Sequence, residues 1–258
     1  MLEIDLQQLI IYYRCKEKTA LKILRGGYVL EIFGIKLKDS IEQDVYERAL
    51  SFLPEEKMDK IKRFRRYEDS LMSLTAEILI RAVVRFKLGI KNESIKFNRT
   101  AYGKPYLEDY EDFHFNLSHS GSWVVCAAGS KAVGIDVEKI KEIDLNIAKR
   151  FFSKEEADDL FSKKEDEKIE YFFDLWTLKE SYIKADGRGL SLPLNSFSFR
   201  IENENIIFTA ESEQANYFFK KYDIDREYKL AVCSMESQFP EGIHIKSFEE
   251  VFEYLFSY

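Results

Sequence analysis

Phe52-Leu-Pro-Glu-Glu-Lys-Met-Asp-Lys-Ile61 and Phe151-Phe-Ser-Lys-Glu-Glu-Ala-Asp-Asp-Leu160 are two versions of one pattern, with Phe, Glu and Asp identical at three positions and an offset of 99. Farther on, Glu77, Ile80 and Arg81 match Glu180, Ile183 and Lys184 at an offset of 103, and Val125-Cys126-Ala127 matches Val232-Cys233-Ser234 at 107. Offsets that grow in order along the chain are what small loop insertions in a duplicated unit produce.

Around these anchors the hydrophobic pattern alternates between strand and helix periods. Strand-like runs fall at 29–37, 113–117, 122–128, 132–138, 196–201, 205–209 and 229–234. Helical runs fall at 41–52, 55–66, 69–87, 144–151, 154–162, 166–184 and 247–256. Pro54 suits the start of the second helix, and Ser153 suits an N-cap. The expected fold class is α/β (α+β), built as two similar, pseudo-symmetric α/β subdomains with a ligand site in the cleft between them. The expected division is 29–130 for the N-terminal subdomain and 131–258 for the C-terminal one, with residues 1–28 set apart as a leader.

Composition narrows the function. With 258 residues, 45% hydrophobic and 33% charged, the chain has material for a core and a solvated surface, which excludes a disordered protein. No window offers the ~20 uncharged apolar residues of a membrane span. The opening MLEIDLQQLIIYYRC carries early acids and a short apolar stretch, a poor signal peptide, so the expected location is cytoplasmic. Three scattered cysteines and three scattered histidines build no common metal cage, so a metal would be a hard cation held by carboxylates. A net charge of −7 argues against nucleic acid as a partner. The segment 57–66, KMDKIKRFRR, opposes that average with six basic residues against one acid, and reads as a candidate anion site or a solvated helix face.

Three motifs could carry chemistry. In Gly134-Ile-Asp-Val-Glu138, a strand directs Asp136 and Glu138 to one face and Ile135 and Val137 to the other. In Trp176-Thr-Leu-Lys-Glu-Ser-Tyr-Ile-Lys184, a helix stacks Trp176, Glu180 and Lys184 along one side; a plain stabilising surface pair is the simpler use of the two charges. In Phe115-Asn-Leu-Ser-His-Ser-Gly121, a strand enters a polar turn presenting Ser118, His119 and Ser120. Tyr102-Gly-Lys-Pro105 is a turn carrying one cation. Together the acids supply three ligands for one hard cation, and the basic residues supply donors for phosphate, a combination suited to a diphosphate. No GxxxxGK[ST] loop is present.

FNLSHSG, GIDVE and LWTLKESYIKADGRGLSLPL resemble, in order and spacing, the three signature blocks of the Sfp-type 4′-phosphopantetheinyl transferases, closest to the surfactin-synthetase-activating kind. GKP before the first block and KRFFSKEE after the second are similar to the same family, over roughly residues 29–258. The resemblance implies two pseudo-symmetric halves with coenzyme A between them. It implies transfer of phosphopantetheine from coenzyme A to a serine of an apo acyl or peptidyl carrier protein, releasing adenosine 3′,5′-bisphosphate. It assigns Mg²⁺ to Asp136, Glu138 and Glu180. Coenzyme A would lie against Ser118, His119 on a diphosphate oxygen, and Lys184 at the developing charge. Lys57 and Lys60 would hold the 3′-phosphate, and Tyr102, Gly103, Lys104 and Pro105 would follow the adenosine. Glu180, Lys184 and His119 are the implied catalytic residues. For the base, Glu180, a metal-bound water and Glu156 stay open.

Glu77 and Arg81 persist in the first half with nothing like GIDVE beside them, so one active site per chain is expected. Two fused halves make an obligate oligomer unnecessary, and a monomer is expected. A non-catalytic module reading acidic carriers through the basic segment, and a Mg²⁺-dependent diphosphate hydrolase, are the competing readings. Residues 1–28 have no counterpart in the family pattern. Arg25-Gly-Gly27 is what a purine-rich ribosome-binding sequence would encode, so either Val29 is the native start or the leader is a lineage-specific helix.

Overall fold

Each of the two buried strands Trp123–Gly129 and Tyr228–Ser234 is a nearly unbroken apolar run, which is what a strand covered on both faces requires. A computed structural model shows what covers them, describing residues 28–38, 40–203, 205–210 and 216–256. Of the expected leader, residues 1–28, all but Tyr28 lie outside the described residues.

The first half runs β1 (Glu31–Lys36), α1 (Gln43–Ser51), α2 (Glu55–Lys62), α3 (Tyr67–Leu88), a hairpin of β2 (Phe97–Arg99) and β3 (Pro105–Leu107), then β4 (His114–Ser120) and β5 (Trp123–Gly129). The second repeats that order: β6 (Val133–Lys139), α4 (Ala148–Phe151), α5 (Lys154–Ser162), α6 (Lys168–Asp186), a hairpin of β7 (Phe197–Glu202) and β8 (Asn205–Ala210), then β9 (Phe218–Lys221) and β10 (Tyr228–Ser234). Strand order repeats as well. β1-β5-β4 in one sheet matches β6-β10-β9 in the other, and every one of these pairings is antiparallel. The duplication read from the offsets is a duplication of topology.

Local chemistry sets the element ends. Ser153 caps α5 in a capping box, its hydroxyl accepting from Glu156 N while the Glu156 side chain accepts from Ser153 N. α3 and α6 both stop at a left-handed glycine, Gly89 (φ 71°) and Gly187 (φ 90°), where a side chain would be strained. α2 ends at Lys62, four residues short of the expected helix. Its last backbone donors turn to i−3 carbonyls, and Arg66 is extended at the entry to α3.

The two sheets lie face to face between outer helix layers. Ile32, Val125 and Ala127 of one meet Ile135, Val137 and Val232 of the other in a shared core. The opposite face of the first sheet (Ile35, Val124, Cys126) packs on α3, and that of the second (Ala231, Cys233) on α6. Full burial of each such aliphatic side chain is worth about 1.5–3 kcal/mol.

One segment crosses over. β11 (His244–Lys246) pairs in parallel with β1, Phe33 opposite His244, and α7 (Phe248–Phe256) buries Phe248, Val251, Phe252 and Leu255 in the first half's core. Residues 244–256 therefore pack with the first half, whereas the sequence grouped all of 131–258 together. The reason is physical: an amphipathic helix specifies an apolar face but not which sheet receives it.

Candidate active site

Pairing register explains why the halves differ chemically. Val125 and Val232 are equivalent, and they lie opposite Gly34 and Ile135. Following both strands onward sets Ile35 and Leu37 where the second half has Asp136 and Glu138. At the remaining equivalent positions, Glu77 meets Lys57 and lies 3.9 Å from Arg81 Nε. The first half thus closes on itself as an ion cluster over an apolar strand.

In the second half Asp136 and Glu138 share one face of β6, and Ile135 and Val137 enter the core between the sheets. α6 lies unusually close to that face. A Cβ on Gly134 would stand 2.0 Å from Ser181 O and 2.5 Å from Ala185 N. Only glycine permits this approach, and it sets the Lys184 ammonium 2.6 Å from Asp136 Oδ1, 3.0 Å from Ser118 Oγ and 3.3 Å from the Ile135 carbonyl.

β4 completes the site from the first half. Its alternate residues Asn116, Ser118 and Ser120 accept from the backbone N–H groups of Ile135 (3.0 Å), Val137 (3.4 Å) and Lys139 (3.1 Å). These side chains satisfy the free edge of β6, which ends its own sheet. The same hydroxyls hold the carboxylates: Ser118 Oγ donates to Asp136 Oδ1 (2.9 Å) and Ser120 Oγ to Glu138 Oε2 (2.9 Å).

The electrostatics are those of acids short of counter-charge. Burial raises the pKa of Asp136, with Lys184 opposing. Burial and the Asp136 charge raise that of Glu138. Burial, then Asp136, pushes Glu180 up to about 7. His119 reaches solvent, yet the protein packed around it and the nearby Lys184 charge lower its pKa. Asp136 Oδ2 is buried with no hydrogen-bond partner.

Ser118, His119, Asp136, Glu138, Glu180 and Lys184 are therefore gathered at the junction of the halves. The three acids do not form a ready metal cage, since among the described residues no group of three His, Cys, Asp or Glu side chains could hold an ion as it stands. Lys184 and the serines hold Asp136 and Glu138 instead. Lys57 is committed to Glu77, and Lys60 is exposed on α2. Gly103 shapes the turn of the β2–β3 hairpin at φ 87°, Pro105 opens β3, and Tyr102 is exposed. Lys104, read as a free cation, instead donates to the carbonyls of Ala185 (3.0 Å) and Val133 (3.2 Å), tying that hairpin to the second half, and burial lowers its pKa to about 8.

The reading of Glu156 also needs correcting. Glu156 is no candidate base: it is fully buried, with Lys179 Nζ 2.7 Å from Oε2 and Phe199 N donating to Oε1 at 2.8 Å. Trp176 stacks on Phe172 (centroids 5.7 Å apart) in the second core. Asn116 was missed as a site residue and Ser120 was read only as part of the polar turn, although the period-two polar pattern Asn-x-Ser-x-Ser in a strand was a signal for a polar edge.

Comparison with known proteins shows the family. Residues 40–131 match the family model described as 4′-phosphopantetheinyl transferase, N-terminal, and residues 132–233 match the 4′-phosphopantetheinyl transferase superfamily. The 4′-phosphopantetheinyl transferase Sfp of Bacillus subtilis is 43% identical over 86% of this chain and 100% of its own. The transferase gsp of Aneurinibacillus migulanus is 37% identical over 81% of this chain and 87% of its own. The human L-aminoadipate-semialdehyde dehydrogenase-phosphopantetheinyl transferase is 33% identical over 71% and 67% respectively. Matched across both halves, with the acids and lysine of its signature blocks assembled at their junction, the chain belongs to the Sfp-type 4′-phosphopantetheinyl transferases and is a transferase of that kind.

Proposed function

We propose that the chain transfers the 4′-phosphopantetheine group from coenzyme A to a serine of an apo acyl or peptidyl carrier protein, with Mg²⁺, releasing adenosine 3′,5′-bisphosphate. The observation that supports this reading is the Lys184–Asp136 contact, with Asp136 and Glu138 close enough to raise the Glu180 pKa.

The donor types suit a hard divalent cation, which would have to draw the three carboxyls together, since among the described residues they form no cage as they stand. Asp136 Oδ2 is a buried oxygen without a partner, and three carboxyls with raised pKa values mark a place short of positive charge. Asp136, Glu138 and Glu180 would hold the ion, which supplies neutralisation of diphosphate charge. The chain's own groups do the rest. Lys184 meets the charge that develops on the leaving bisphosphate, and His119 donates to a diphosphate oxygen. The serine hydroxyl attacks the phosphorus bearing pantetheine; a new O–P bond forms as the bridging P–O bond breaks. Glu180 takes the hydroxyl proton as the new O–P bond forms. Ser118 and Ser120 orient Asp136 and Glu138 for this set. Lys60 and Tyr102, both exposed, serve the nucleotide end of coenzyme A, while Lys57 is held by Glu77 and Lys104 anchors the turn through backbone carbonyls.

Among the described residues no helix is long and apolar enough to cross a membrane. A monomer in the cytoplasm, partnered by coenzyme A and a carrier protein rather than nucleic acid or membrane, completes the proposal. The test is the intact mass of an apo carrier protein after incubation with the chain, coenzyme A and Mg²⁺. A gain of one phosphopantetheine, lost with EDTA, is expected. Cleavage of coenzyme A without carrier modification would favour a hydrolase, and no change in either would leave only a binding role.

A further inference from the structure

The duplicated fold contains its own control for surface charge. The end of α2 and the loop that follows it carry Lys62, Arg63, Arg65 and Arg66 around Phe64, and all five are exposed. Phe64 is 41% exposed and stands among these cations. Among the described residues none of the three arginines stands within ion-pair distance of an acid. The equivalent loop of the second half, between α5 and α6, also carries cations, but neutralises them locally. Lys163 pairs with Asp159 (2.9 Å), Lys164 with Glu167 (3.6 Å) and Lys168 with Glu165 (2.6 Å). The same piece of architecture is therefore charge-balanced in one half and strongly basic in the other, on a chain whose net charge is −7.

The basic loop also stands beside the site. It leads directly into α3, whose first turns supply Glu68, Leu71 and Met72 to one groove. The far wall of that groove includes Gly121, next after Ser120, and Lys139, next after Glu138. Asp69, in the same turn, is close enough to act on His119 electrostatically.

We infer that Arg63, Arg65 and Arg66, with Phe64 between them, form a docking surface for an acidic face of the acceptor protein around its target serine. This rests on the transfer reading above and names how its protein substrate is recognised. Exposed rim charges act through steering and register, so their removal weakens productive encounter while leaving the chemistry intact.

The test is the triple variant Arg63→Glu, Arg65→Glu, Arg66→Glu, with Arg→Gln at the same positions as a milder second variant should the first melt early. KM is measured separately for an apo acyl carrier protein and for coenzyme A, and binding of the fluorescently labelled apo carrier is measured by anisotropy without coenzyme A. The expected result is a rise of about tenfold or more in carrier KM and Kd, a flatter salt dependence, and kcat and coenzyme A KM held within about twofold. Unchanged carrier affinity overturns the inference. So does a raised KM for coenzyme A alone, which would assign the cations to a nucleotide phosphate. The binding arm needs no turnover, so a chain that binds the carrier without modifying it would sink the transfer reading and leave the docking surface standing.

Discussion

Lys184 Nζ lies 2.6 Å from Asp136 Oδ1, while Asp136 Oδ2 is buried without a partner. One cation thus compensates one side of a buried carboxylate, and Lys184 bridges it to Ser118 and to the β6 backbone. Replacing Lys184 with Met removes that compensation. The variant should lose about 1–3 kcal/mol of stability at pH 8, with the deficit shrinking as acid protonates Asp136. Urea denaturation at pH 5.5 and 8 measures this; an equal loss at both pH values would mean that the pair is not what matters.

Glu180 provides a pH signature in the metal-free protein. Its folded pKa is about 7, above the ordinary value of 4.5, so the folded state binds more protons than the unfolded state between these values. Stability from this group is fully present below pH 4.5 and falls as pH rises toward 7. Glu180→Gln should flatten that decline and leave the variant more stable at pH 8 by on the order of 1–3 kcal/mol. Melting curves across pH 4.5–8 in EDTA decide; a variant with the wild-type slope would remove Glu180 as the source.

Two glycines should respond differently to alanine. At Gly134 the added Cβ meets helix backbone at 2.0 Å, which nothing can relieve without moving α6 off β6. Gly134→Ala should cost more than about 3 kcal/mol, or prevent folding. Gly187 has φ 90° and meets only the flexible Lys104 side chain at 3.2 Å, so Gly187→Ala should cost about 1 kcal/mol. Guanidine denaturation of both variants tests the order. Comparable small losses would show that the close helix–strand approach is dispensable.

Glu156 and Lys179 form a fully buried pair, and Lys179 also donates to the carbonyls of Leu194 (2.7 Å) and Phe197 (2.8 Å). Lys179→Met should destabilise by about 3–5 kcal/mol, because it leaves a buried carboxylate uncompensated. Glu156→Gln should lower the melting temperature and spare kcat of the folded fraction. A collapse in kcat with an unchanged melting temperature would restore Glu156 as a candidate base.

The legible part of this protein is what repeats or follows a short period. Ordered offsets between halves exposed the duplicated topology, and the two-residue spacing of Asp136 and Glu138 fixed their shared face. The i, i+4 relation of Glu180 and Lys184 put both on one side of α6. What stayed hidden depends on contacts between elements distant in sequence. Lys104 read as a loose cation because its acceptors are carbonyls of β6 and α6. Glu156 stayed open as a base because its partner Lys179 comes from another helix. The return of β11 and α7 to the first half has no local signature, since both sheets offer apolar surface. The short strands β2, β3 and β9 were missed, being too brief for a periodic signal.

The central claim is that the acids and lysine of the second half are the reaction centre while their first-half equivalents are structural. The most direct measurement is the rate of carrier modification, read by intact mass, for Glu180→Gln beside Glu77→Gln, each first shown to be folded by its melting curve. The expected result is loss of transfer by about a thousandfold or more for Glu180→Gln, with Glu77→Gln affecting stability more than kcat. Near-normal turnover by folded Glu180→Gln would contradict the account.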